Sequence, residues 1–232
     1  MKLTVAIPID VDLGAYAAEL RGLEQIMIDM IAEPALMHRL MTHIREAVLG
    51  AIDQVEATGL LTPNNSGAMT CSDPIGVPMN GRYTCRNLWC GASLETFDQV
   101  SPMMWEEFGL NYQKPVCARF GLVSYGCCES LTRKIEGVLS IPNLRIFTCT
   151  PWTNLPDVIE KVGNRHCIIW RHKASNVVFP HDTAGIQAEL MDAARRLQGC
   201  FYQVILRGLQ TLAGHADRLQ VWTQLAKEAV SQ

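Results

Sequence analysis

Leu144-Arg145-Ile146-Phe147-Thr148-Cys149, then Leu155 to Val162, then Cys167-Ile168-Ile169-Trp170-Arg171 is the stretch on which the fold turns. The two outer runs are short, apolar and rich in β-branched residues, which marks buried strands. Between them, Asn154 and Asp157 supply a helix start. The same alternation continues on both sides. Leu122 to Tyr125 and Phe201 to Leu206 read as strands, and helices are expected at about 131–139, 185–197 and 216–230. Asp182 and Gly199 are start and stop signals for the second of these. Strands separated by helical stretches of this length predict an α/β fold, with a parallel sheet covered by helices.

Upstream, Leu3 to Ile9 reads as a buried strand delivering Asp10 and Asp12 into a loop. Tyr16, Leu20, Leu23, Met27, Met30 and Ile31 fall at helical spacing. Pro34 suits the first turn of a second helix carrying Leu36, Leu40, Ile44, Ala47 and Ala51, with Gly59 as its stop. Leu60-Leu61-Thr62 is a short strand candidate, and residues at about 63–87 lack periodicity and form a long loop. Leu88-Trp89-Cys90 leads into another short strand, and Ser101-Pro102 opens a helix from Met103 to Tyr112.

The 232 residues fit a single domain, just short of the roughly 250 of a complete (β/α)8 barrel. With 48% hydrophobic and 19% charged residues the chain is of ordinary globular composition, so it buries a core. A formal charge of -3 and the lack of any long Lys/Arg cluster argue against nucleic acid as a partner. The apolar run at the start is too short for a signal core or a membrane span, which points to a cytoplasmic protein. Nine cysteines, an odd number partly inside strand-like runs, read as reduced thiols, with Cys149, Cys167 and Cys200 as small core residues. Gly-x-Gly-x-x-Gly and Gly-x-x-x-x-Gly-Lys-Ser/Thr are absent, which removes the usual dinucleotide and P-loop readings.

Glu19-Leu20-Arg21-Gly22-Leu23-Glu24-Gln25, Pro34 to Leu40, Ser101-Pro102-Met103-Met104-Trp105-Glu106-Glu107-Phe108, Tyr125-Gly126-Cys127-Cys128-Glu129, Ile141-Pro142-Asn143-Leu144-Arg145 and Pro151-Trp152 follow one another along most of the chain. In this order they resemble the uroporphyrinogen decarboxylase-like superfamily, in particular its branch with a Tyr-Gly-Cys-Cys-Glu motif. The resemblance implies a (β/α)8 TIM-barrel type fold. Leu3 to Ile9 corresponds to the third strand, the later strands to the fourth to eighth, and the first two βα units have no counterpart. An incomplete barrel leaves open edges, so a homo-oligomer or a partner chain covering them is expected. That superfamily divides between porphyrinogen decarboxylases and zinc-dependent methyltransferases that work with corrinoid proteins.

In the methyltransferase branch, zinc is held by a His-x-Cys pair after the fifth strand and by a cysteine after the last. Here Tyr125 stands where that histidine would be and Cys127 where the first cysteine would be. Cys127, Cys128 and Glu129 are the metal-ligand candidates, with Glu129 also a candidate acid/base group. Strand alternation puts Tyr125 and Cys127 on one side and Cys128 on the other unless the chain has already turned. After the last strand, Arg207-Gly208-Leu209-Gln210-Thr211 offers no third ligand, and His215 is the nearest candidate. The alternative for the cysteines is plain packing at the top of a barrel.

In a barrel enzyme the strand ends carry the site. That nominates Asp10, Asp12, Asn64, Asn65, Glu95, Tyr125 to Glu129, Trp152 and Arg171-His172-Lys173. Glu129, Tyr125 and Glu95 are the catalytic candidates; Asp10, Asn64, Asn65, Trp152, Arg171 and His172 are the candidates for binding a small-molecule substrate. Asp10 and Asp12 equally suit helix capping, Asn64 and Asn65 turn formation, and Trp152 packing. The expected function is a metal (zinc)-dependent methyltransferase acting with a thiol substrate or a corrinoid partner protein. The alternatives are a porphyrinogen-type decarboxylase and a non-catalytic, partner-completed half barrel.

Overall fold

The computed structural model describes residues 10–65, 72–73, 75–78, 80–180 and 182–231. Its centre is one all-parallel sheet whose six strands lie in sequence order: β1 (Asp10–Val11), β2 (Trp89–Ala92), β3 (Leu122–Tyr125), β4 (Leu144–Cys149), β5 (Cys167–Lys173) and β6 (Phe201–Arg207). The α/β architecture read from the sequence is present. The sheet is open, since no pairing joins β1 to β6 among the described residues. The expected strand from Leu3 to Ile9 lies outside the described residues. Both β5 and β6 run further than expected, and the added residues bring Lys173 and Arg207 into direct register.

The helical layer begins with α1 (Leu13–Arg21) and α2 (Leu23–Ala32), separated at Gly22, whose φ of 89° breaks the expected single helix. Pro34 starts α3 (Pro34–Ala57). Ser101 caps α4 (Pro102–Trp105) by accepting the Met104 amide at 3.3 Å. A π-helical turn over Glu106–Leu110 and α5 (Asn111–Cys117) extend that helix past its expected end. The helix expected at 131–139 shrinks to α6 (Ile135–Leu139). The preceding amides bond outward instead: Ser130 donates to Asp98 Oδ1 at 2.7 Å and Leu131 to Thr153 Oγ1 at 3.0 Å. Next come α7 (Leu155–Val162), capped by Asn154 as expected, α8 (Ser175–Val178), α9 (Ala184–Arg196) and α10 (Arg218–Val230). Among the described residues no helix is long and apolar enough to cross a membrane.

Leu60-Leu61-Thr62 adds no strand to the sheet, contributing an isolated bridge at Leu61. Asn64 takes the strand's place beside β2. Its amide donates to the Trp89 carbonyl and accepts from the Trp89 amide, both at 2.8 Å, which copies the pairing of a neighbouring strand.

Alternation divides the sheet into two faces. Cys90, Ala92, Val123, Tyr125, Phe147, Cys149 and Ile168 pack outward into the main core. Trp89, Ile146 and Ile169 form a smaller apolar cluster on the opposite face, joined by Cys167 and Ile205. At about 25 cal/mol per Å² this burial is the main stabilising term, and it fixes which strand residues point toward each side.

Candidate metal centre and its surroundings

β3 ends at Tyr125, and Gly126 turns the chain with φ at 104°. A side chain at 126 would meet Leu131 Cδ1 at 2.9 Å and Thr148 Cβ at 3.0 Å, so the turn needs glycine twice over. The turn overrides strand alternation. Tyr125 stays on the outward face, fully buried, with its hydroxyl donating to Gln113 Oε1 at 3.2 Å and its ring edge-on to Trp105. Burial holds its pKa well above the ordinary value. Tyr125 is therefore a core residue away from the thiols, contrary to its expected catalytic place. Cys127 and Cys128, expected on opposite sides, share one side, with their sulfurs 3.8 Å apart.

Glu95 joins the two cysteines. One ligand atom from each of the three lies within 4.8 Å of the others. Glu95 follows β2 in a short 3-10 turn, Glu95–Phe97. Its Oε1 is shielded from solvent and has no partner of ordinary hydrogen-bond geometry, while the carboxylate lies against the Cys127 thiol as a hydrogen-bond acceptor. A shielded carboxylate oxygen without an ordinary partner is costly, and a cation would satisfy it. The sulfur spacing fits as well, because two thiolates 2.3 Å from a tetrahedral zinc stand roughly 3.8 Å apart.

Glu129, expected as the third ligand, is occupied elsewhere. One of its oxygens accepts the Leu94 amide at 3.2 Å and the other the Cys127 amide at 2.9 Å. Burial is the main cause of its raised pKa. Asp12 acts in parallel, accepting the Ala15 amide at 3.0 Å as the α1 cap and the Glu95 amide at 3.1 Å. Burial pushes its pKa up to about 6. These two carboxylates hold the segments that carry Glu95 and Cys127.

Two arginines flank the thiols. Arg207 donates from Nη2 to Cys128 Sγ at 3.0 Å and to Cys127 Sγ at 3.4 Å, and Arg171 donates to the Cys127 carbonyl. Burial, reinforced by Glu95, pushes the Cys127 thiol up to about 12, while Arg171 pulls it down. A divalent cation held there would oppose that rise by favouring the thiolate of a coordinating cysteine.

Other candidates fall elsewhere. His172 faces outward and is buried, bonded through Nε2 to Glu189 Oε2 at 2.7 Å and accepting at Nδ1 from Trp222 Nε1 at 3.0 Å. Both ring nitrogens are used, so it ties β5 to α9 and α10 and does not face a substrate. Asn64 is spent on Trp89, and Asn65 has no bond to the thiol cluster among the described residues. Trp152 is exposed, with Lys173 Nζ 5.7 Å from its ring centre. His215 is exposed and apart from the cluster. The Asp10 side chain lies outside the described residues. The sequence nominates Glu95 for catalysis without grouping it with the cysteines, and Arg207, at the end of the last strand, is not among its candidates.

No protein-family model matches the sequence, and no curated protein matches it. Among solved structures, a methyltransferase from Methanosarcina mazei shares the fold, with a TM-score of 0.61 at 11% identity. The alignment covers 96% of this chain and 59% of that one, so this chain spans about three-fifths of its structural neighbour. The likeness establishes an α/β fold of the kind that methyltransferase has.

Proposed function

We propose that this chain is a metal-dependent methyltransferase of the uroporphyrinogen decarboxylase-like type, with Cys127, Cys128 and Glu95 holding zinc or a similar divalent ion. The observation that carries the reading is the convergence of two thiols and a shielded carboxylate oxygen beyond the C-terminal ends of parallel strands. That end is where sheets of this class place their chemistry. The M. mazei methyltransferase supports it through the shared fold. Paired thiols favour this reading over a decarboxylase, which has no use for them. When bound, the ion supplies Lewis acidity that lowers the pKa of a substrate thiol, making it a thiolate able to accept a methyl group. The methyl donor in this reading is a corrinoid carried by a partner protein.

The chain's own residues have separable tasks. Cys127 and Cys128 supply two soft ligands and Glu95 a hard one. Glu129 and Asp12 position those ligands by gripping backbone amides. Arg207 donates hydrogen bonds to both sulfurs and so fixes their orientation.

Metal analysis of the purified protein tests the proposal. About one zinc per chain is expected, lost in Cys127→Ser, Cys128→Ser and Glu95→Gln but retained in the core variant Cys149→Ser. In a cobalt-substituted sample, thiolate-to-metal charge-transfer absorption should disappear with either cysteine. Absence of stoichiometric metal, or metal content indifferent to Cys127→Ser, sinks the reading.

A further inference from the structure

The face of the sheet opposite the main core becomes more polar as its strands rise toward the thiols. Register sets the rows. Ile146, Cys167 and Phe201 form the lowest, Thr148, Ile169 and Gln203 the next, Arg171 and Ile205 the third, and Lys173 and Arg207 the highest. The lower rows hold the apolar cluster that packs this side of the sheet. Above it stand polar groups that the protein itself does not satisfy. Thr148 is fully buried and its Oγ1 has no hydrogen-bond partner, and Gln203 Oε1 and Arg171 Nε are likewise buried and unpartnered.

The upper rows carry three cations. Among the described residues, none of Arg171, Lys173 and Arg207 has a carboxylate within 4.0 Å, although nine other Lys/Arg–carboxylate pairs form. Arg171 and Arg207 are half-buried, so leaving them without a counter-ion is costly. Arg207 is engaged by the thiols and Lys173 lies over the exposed Trp152 ring, which leaves their remaining N–H groups free for another acceptor.

Charge gives the class of that acceptor. Asp12 and Glu129 are turned onto backbone amides, and among the described residues no carboxylate pairs with the three cations, so their positive charge is concentrated on this face. Such a site attracts an anion. The planar forks of two arginines beside a lysine suit the oxygens of a carboxylate or phosphate.

We propose that Arg171, Lys173 and Arg207 form an oxyanion subsite on this face of the sheet, binding the carboxylate or phosphate of a small ligand whose other end reaches the thiols. That the ligand points toward the thiols rests on the metal-centre reading, whereas anion binding by the three cations does not.

The test is calorimetric titration of the full chain with inorganic phosphate and, in a separate arm, with succinate, at low constant ionic strength so that screening does not mask the interaction. Each titration is made on protein as purified and after chelator treatment. Saturable binding of at least one probe is expected in both samples, and the probe that binds identifies the ligand's anionic group. Arg171→Gln and Lys173→Gln should each weaken it about tenfold or more, the loss of one charge-assisted contact. Lys173 is exposed, so its variant keeps the fold intact. Lys161→Gln, a surface lysine paired with Glu136, should leave binding unchanged. Failure of both probes to bind, binding indifferent to Arg171→Gln and Lys173→Gln, or binding that vanishes with the metal would overturn the proposal. The last outcome would make the anion a metal ligand. Retained anion binding in a protein that never takes up metal would sink the metal reading and leave the subsite standing.

Discussion

Replacing Glu129 by alanine should uncouple the two segments that carry the thiols and Glu95. The carboxylate is 2% exposed and accepts two amides, from Leu94 on the β2 side and from Cys127 on the β3 side. Truncation leaves both N–H groups in a dry environment, at about 1–3 kcal/mol each. Part of that loss is offset, because the charged carboxylate is penalised by burial, as its raised pKa records. The net expectation is about 2–4 kcal/mol of destabilisation by urea unfolding, and a Tm lower by roughly 4–16 °C for a domain of this size. Metal affinity should fall about tenfold or more with it, since Cys127 and Glu95 lose their common anchor. Glu129→Gln keeps one acceptor and should lie between wild type and Glu129→Ala. Stability of Glu129→Ala within about 0.5 kcal/mol of wild type, the range of an inert surface change, would refute the clamp. Unchanged zinc affinity in a destabilised variant would show that the clamp serves the fold alone.

Asn64→Ala should cost about 2–4 kcal/mol, because both Trp89 backbone groups lose their partner; chemical denaturation measures it, and a change under about 0.5 kcal/mol would disprove the strand-like role. In metal-free protein Cys127 should alkylate slowly at neutral pH, faster in Glu95→Gln, which removes a cause of its raised pKa; peptide mapping after iodoacetamide reads the rate, and equal rates contradict the assignment. Burial lowers the pKa of His172 below its ordinary 6.5 despite Glu189, so its contribution to stability is complete above that value and is lost as pH falls through it toward the folded pKa. His172→Gln should flatten that part of the stability profile, and a profile parallel to wild type would count against it.

What the sequence disclosed follows from which forces are local. β3, β4 and α7 were legible because these strands are short, mostly apolar and largely buried, and because Asn154 caps its helix three residues away. The π-helical turn of Glu106–Leu110 left no such signal. Nor did the shortened α6, since the amides at Ser130 and Leu131 find partners 32 and 22 residues away. The thiols were placed on opposite sides because alternation was carried past Tyr125. Gly126 is visible in the sequence, but neither its positive φ nor the close approach of Leu131 and Thr148 is. Asn64 read as a turn former because nothing local shows that its amide lies against β2.

The acids around the thiols show why residue type alone could not assign the ligand. Asp12, Glu95 and Glu129 lie near one another, and each would serve as a hard donor for a divalent ion. Hydrogen bonding separates them. Asp12 and Glu129 each give both oxygens to backbone amides, so coordinating an ion would strip buried N–H groups of their acceptors. Glu95 retains a shielded oxygen with no partner of ordinary hydrogen-bond geometry, and coordination there removes a cost that the fold already bears. Asp12 or Glu129 would each put up to two amide hydrogen bonds at risk, whereas Glu95 would put none. Two of the three acids thus act by presenting the third. In the proposed metal centre the expected triad of Cys127, Cys128 and Glu129 is replaced by Cys127, Cys128 and Glu95, with Glu129 bonded to the Cys127 amide and Asp12 to the Glu95 amide.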